Sequence, residues 1–145
     1  HMHESGFLDA LTVHDRTIPP LVSHTGVRGV HDSWRNLGDH QIRAIAERGG
    51  VVGVFAHLWA LGPPHVRMDA SVMVRHMEHV IRVGGEECAA LGTDLDGFIL
   101  PPADMRSVDR LYVLVQHMMD RGWKRERIRR VMGGNALRVM RTALT

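Results

Sequence analysis

The sequence holds a single cysteine in 145 residues. Cys88 alone excludes an intramolecular disulfide framework and any CxxC metal site. Set in the apolar run Cys88-Ala89-Ala90-Leu91, it reads as a buried core thiol. Long hydrophobic runs are also missing: no window approaches the roughly 18 uninterrupted apolar residues that a membrane-spanning helix needs. The N-terminus lacks the basic-then-apolar layout of a signal peptide, and without an anchor a cytoplasmic protein is expected. Charge of one sign is scarce too, since 18 Lys+Arg against 16 Asp+Glu leave only +2. The basic residues are nearly all Arg and scattered. Their one local cluster, Lys124 to Arg130, is broken by Glu126 and Ile128 as a solvated helix face would be, so nucleic acid is not an expected partner. There is no low-complexity tract, and 44% hydrophobic with 23% charged residues describes one soluble globular domain.

What the sequence does have is an alternation of short apolar runs with amphipathic stretches, the pattern of βα units. A helix around Ser5 to Val13 leads through Pro19 and Pro20 into a short strand, Leu21-Val22, ending in Ser23-His24-Thr25-Gly26. Asp39 is the expected N-cap of a helix that places Ile42, Ile45 and Ala46 on one face and stops at Gly49-Gly50. Val51 to Phe55 has the length and β-branching of a buried parallel strand. Asp69 is expected to cap a helix with Met73, Met77, Val80 and Ile81 at core spacing. Cys88 to Leu91 reads as the next strand and runs into the turn Gly92-Thr93-Asp94-Leu95-Asp96-Gly97. A helix through Leu111 and Met118, then two short helices, one around Glu126 to Met132 and one after Gly133-Gly134 with Asn135 as its expected cap, close the chain. Three successive βα units imply parallel strands; a closed (β/α)8 barrel would need about 250 residues. The units therefore form either a small open sheet or the later staves of a barrel.

Eleven histidines are present, and two polar clusters follow strands: Ser23-His24, and Asp94 with Asp96. Ligands of parallel α/β folds bind at the C-terminal strand ends. A neutral imidazole there suits zinc, and a carboxylate suits a proton carrier. The plainer alternatives are a histidine hydrogen-bonded to a neighbouring loop and aspartates that form turns and caps. Spacing alone does not choose between these readings.

Several segments in order carry a resemblance that does. PLVSHTGVRGVHDSWRNLGDHQIRAIAERGGVVGV, LGTDLDG and RGWKRERIRRVMGGNALRVM together resemble the second half of the membrane (renal) dipeptidase family. They match its metal-binding SH(S/T) segment, its RN(L)xD segment, its GSDFDG turn and its C-terminal helix pair. The resemblance implies the C-terminal portion of a (β/α)8 TIM barrel and a zinc-dependent dipeptidase that uses metal-activated water on dipeptide substrates. It makes His24 a ligand of the second of two zinc ions and Arg35 the anchor of the substrate's terminal carboxylate, a role that guanidinium's two-pronged donor geometry suits. It also makes Asp94 the proton shuttle, whereas Asn36 and Asp96 hold loops in place. The other ligand to that zinc is His1 or His3: His3 stands 21 residues before His24 and His1 stands 23 before it, and the H-x-x-E pattern fits His1 better.

The departures from that family pattern are equally specific. The family's HxD pair, its bridging glutamate and a histidine that steadies the tetrahedral intermediate have no counterpart in this sequence. Since zinc needs about three protein ligands even in an open catalytic site, residues 1–145 are expected to be a single partial domain with the N-terminal half absent. As such they should be inactive alone, with an unpaired strand edge open to a second copy or a partner chain.

Overall fold

The computed structural model describes residues 2–144. Its centre is a three-stranded parallel sheet made of β1 (Leu21–Thr25), β2 (Val51–Val54) and β3 (Ala89–Leu91), side by side in chain order. Helix α1 (Glu4–Val13) precedes β1, and α2 (Asp39–Ala46) links β1 to β2. A one-turn helix, α3 (Leu58–Leu61), and the longer α4 (Ser71–Gly84) link β2 to β3. After β3 come a 3-10 turn (Val108–Arg110), α5 (Leu111–Asp120), α6 (Arg125–Arg129), a turn over Arg130–Gly134 that kinks at Gly133, and α7 (Asn135–Leu144). The α/β class and the parallel, alternating order expected from the periodicity are what the chain adopts. None of the described helices is long and apolar enough to cross a membrane.

Every residue of β2 is buried, because this strand is paired on both edges and covered on its faces. Ile42 and Ile45 from α2, Met73, Met77 and Val80 from α4, and Leu114 and Met118 from α5 meet Val52, Val54 and Phe55 in one core. Burial of each such side chain contributes about 1.5–3 kcal/mol relative to exposure. Cys88 lies buried at the head of β3, where loss of solvation pushes its thiol up to about 11; it is an inert core thiol, as its apolar run implied.

Three expectations about helix ends need correction. Gly38, not Asp39, is the N-cap of α2; Gln41 Oε1 reaches back to accept the Gly38 N–H at 2.9 Å. Asp39 sits one position inside, and its carboxylate is drawn to His79 Nε2 at 2.6 Å on α4. Asp69 also lies one place before the N-cap, Ala70, yet it still serves the first turn by accepting the Ser71 N–H at 3.0 Å. Asn135 does not cap α7. Its buried amide donates to Glu86 O and Ala89 O, both at 2.8 Å, and so ties the C-terminal helix to the start of β3.

Strand β1 is longer than its apolar pair Leu21-Val22 suggested and carries an irregularity. Val22 pairs with Val52 and Thr25 with Val54, so one extra residue is accommodated at Ser23-His24. A bulge of this kind bends its strand and re-aims the side chains within it. The displaced Ser23 carbonyl lies over Gly53 and Gly92, so close that a Cβ on either would overlap its oxygen. Both positions need glycine for close approach, not for a special dihedral angle.

Candidate active site

The C-terminal ends of the three strands bring the expected residues to one side of the sheet. His24 is the penultimate residue of β1, inside the bulge, with Nδ1 and the Ser23 hydroxyl 2.8 Å apart. Arg35 belongs to the loop after β1, and its Nη2 donates to the His24 backbone carbonyl at 3.1 Å. Asp94 follows β3 and is half-buried. It is tied to the neighbouring strand because Thr93 O accepts the Ala56 N–H at 3.0 Å.

Beside His24 and Arg35 lies the ring of Phe55, directly after β2 and 1% exposed. The Arg35 guanidinium sits 5.4 Å from its centroid, the His24 ring 6.4 Å away and the His57 ring 5.9 Å away, edge-on. Phe55 is thus an apolar floor that three polar side chains share. Loss of solvation pulls the Arg35 guanidinium below its ordinary range, and Asp94 partly offsets this. Desolvation likewise lowers His57, which Asp94 pulls upward and Arg35 pushes down. His57, Arg35 and Asp94 therefore sense one another's charge.

The turn that carries Asp94 is conformationally unusual. Asp94, Asp96 and Phe98 have φ of 57°, 66° and 58°, a left-handed region uncommon for any residue but glycine and costly for a bulky one. The Asp94 carboxylate lies over Gly97, where a Cβ would stand 2.6 Å from Oδ1. Asp96 is exposed at the tip of this turn.

Asn36, beside Arg35, is buried and donates to His31 O at 2.8 Å and to Ala60 O at 2.6 Å. It pins the arginine loop to α3, the holding role anticipated for it. A second pin comes from His76 on α4, which is fully buried. Its Nδ1 accepts the Val27 N–H at 3.0 Å, which leaves Nε2–H to donate to Leu61 O at 3.0 Å. The ring is therefore neutral and in one tautomer, and burial lowers it to about 4.

Neither His57 nor His76 was singled out from sequence. His57 stands just beyond an apolar strand, the same position that drew attention to His24. His76 falls at i+3 between Met73 and Met77, on the core face of an amphipathic helix.

The metal ligands come together less fully. His3 is the N-cap of α1, where its Nδ1 lies 3.0 Å from Ser5 Oγ and accepts the Ser5 N–H at 3.4 Å. It shares with His24 and Arg35 the wall of a cavity of about 630 Å3 that runs between α1 and β1. His1 lies outside the described residues. Among the described residues no three His, Cys, Asp or Glu side chains form a group able to hold a metal ion. The donor set present among the described residues therefore does not fit a zinc centre by itself.

Comparison with known proteins bears on what this arrangement is for. The profile of the membrane dipeptidase family (Peptidase family M19) matches residues 1–145. An uncharacterized protein from the pqqA 5' region of Klebsiella pneumoniae is 35% identical over 97% of this chain and 52% of its own length. Dipeptidase 3 of Mus musculus is 29% identical over 96% of this chain and 28% of its own. Among solved structures, a metallo peptidase from Rhodobacter sphaeroides, liganded with a phosphinate mimic of the dipeptide L-Ala-D-Ala, superposes with a TM-score of 0.90 at 28% identity. That match covers 98% of this chain and 40% of the other. The metallo peptidase dipeptidase AC gives 0.88 at 27% identity, over 96% and 41%. The chain thus spans about half, or less, of the length of the relatives it matches.

Proposed function

Because this chain belongs to the membrane dipeptidase family, we propose that it supplies the carboxy-terminal part of the active site of a metal-dependent dipeptidase, with zinc as the metal. The observation that carries this reading is the meeting of His24 and Arg35 at the Phe55 ring, with Asp94 close enough for its charge to act on Arg35, at the ends of three adjacent parallel strands. Arg35 binds the terminal carboxylate of the dipeptide; its half-buried setting weakens competition from water and strengthens the ion pair. Asp94 carries the proton: it accepts one from the attacking water and delivers it to the amine that leaves when the C–N bond breaks. His24 serves as one metal ligand. His1 or His3 is the second, and the remaining donors lie beyond the described residues. On this reading residues 1–145 alone are inactive.

The family likeness favours hydrolysis of small dipeptides over other amide bonds, and the phosphinate dipeptide mimic bound by the Rhodobacter sphaeroides relative is consistent with it. The test is to replace His24 and Arg35 separately in the full natural polypeptide and measure zinc content and dipeptide hydrolysis together. His24→Ala should lose both. Arg35→Ala should keep its zinc and lose binding, and loss of zinc in the arginine variant would sink that assignment.

The missing donor group favours a second reading, in which the segment is a non-catalytic module that binds metal weakly or pairs through the free edge of β1 with a second copy or a partner chain. Zinc-restorable hydrolysis by the full polypeptide after chelation rules it out.

A further inference from the structure

His57 stands two residues after the floor residue Phe55, just beyond the end of β2, the middle strand of the sheet. Its ring is half-buried, edge-on to Phe55 at 5.9 Å and tilted against Trp59 at 5.6 Å. One nitrogen is already committed, because Nδ1 accepts the Leu100 N–H at 3.2 Å. The adjacent backbone repeats the link, with the Leu58 N–H donating to Leu100 O at 2.9 Å. A neutral imidazole whose Nδ1 accepts must carry its hydrogen on Nε2. The latch to the loop after β3 therefore fixes the tautomer and the ring plane, and it leaves one oriented N–H donor. Among the described residues no acceptor meets that donor.

The charged groups that act on this ring are Arg35 and Asp94. A neutral donor beside a cation converges on an anion, whereas a second cation there would repel the first. We propose that His57 is a substrate-binding residue, whose Nε2–H donates to the terminal carboxylate of the dipeptide alongside the Arg35 guanidinium. Arg35 supplies the charge and His57 supplies direction. The proposal rests on the dipeptidase reading and adds a second carboxylate contact, from a different strand, to the one expected of Arg35.

Two variants separate the donor from the latch. In His57→Asn the side-chain oxygen can still accept the Leu100 N–H, but no donor reaches the Nε2 position. In His57→Gln an amide N–H extends to about that position and the latch is given up. The measurement is calorimetric binding of two probes to the zinc-loaded full polypeptide: a phosphinate mimic of Ala-Ala with a free carboxylate, and its carboxamide counterpart. A hydrogen bond to a charged acceptor is worth enough for about a tenfold change. His57→Asn should lose about tenfold for the acid and less than twofold for the amide, with zinc content unchanged, and His57→Gln should recover most of the loss. Equal losses for the two probes, no loss in His57→Asn, or no recovery in His57→Gln would each overturn the proposal while leaving the dipeptidase reading intact. Failure of the unaltered protein to bind either probe would instead overturn that reading, and this one with it.

Discussion

At the scale of single residues, Arg35 and Asp94 separate two functions that fail in different ways. Removing a bidentate, half-buried contact to a carboxylate costs about 2–3 kcal/mol, so Arg35→Ala in the full polypeptide should raise KM for dipeptides about 30- to 150-fold. Asp94→Asn keeps the shape of the turn but cannot carry a proton; substrate and metal should still bind while kcat falls, by about a hundredfold or more. A near-normal rate in that variant would remove Asp94 from the mechanism. Among buried residues His76 makes a prediction about pH. Its folded value is lowered to about 4 from an ordinary 6.5, so the unfolded chain binds the proton more readily than the native one. The stability it contributes is whole above pH 6.5 and is lost as pH falls from there towards 4, a total of about 3 kcal/mol. Chemical unfolding at pH 7 and pH 4.5 should show that loss, and His76→Asn should flatten the part of the slope that comes from this group. His24 and Asp94 stood out in the sequence because each follows a short apolar run, whereas Arg35 stood out only through the resemblance of its segment to the dipeptidase family. His57 and His76 were not, since nothing in a lone histidine announces a fixed tautomer or a pair of backbone partners.

Among the elements, the alternation of apolar and amphipathic stretches was legible because burial imposes it: β2 is apolar throughout as a strand covered on all sides must be, and the core face of α4 repeats at helical spacing. Interactions between elements left a weaker mark. Asp39 has every property of an N-cap, yet His79 draws its carboxylate across to α4 and Gly38 with Gln41 takes over the helix start. The bulge in β1 is similarly hidden, because it depends on how Ser23-His24 faces Gly53 and Gly92 and not on either segment alone. Gly53→Ala should therefore displace the bulge and with it the His24 ring. It should lower stability by about 1–3 kcal/mol and weaken metal binding even though no ligand is altered, which denaturant unfolding and zinc titration on the full polypeptide would register. At the other end of the sheet, Asn135→Ala leaves the Glu86 and Ala89 carbonyls without their donor. One buried and one half-buried acceptor deprived of their donor should cost about 1–3 kcal/mol, seen as a lower denaturation midpoint with the secondary-structure signal of α1 to α5 preserved.

For the molecule as a whole, three parallel staves bring Arg35, Asp94 and His24 to one wall of a strand-end site, where the proposed function makes them carboxylate anchor, proton carrier and metal ligand. What they do not present is a complete set of metal donors, since no group of three converges among the described residues. Among the described residues the outer edge of β1 also lacks a strand partner, and an unpaired edge of this kind is a template for further chain. On the proposed function, these residues contribute to a metal-dependent dipeptidase site that they do not complete. The measurement that tests it most directly is zinc per chain by elemental analysis of tag-free residues 1–145 after equilibration with zinc and dialysis, with dipeptide hydrolysis assayed on the same samples. The account predicts much less than one zinc per chain and no turnover; a monomer that retains one or more zincs and hydrolyses dipeptides would contradict it.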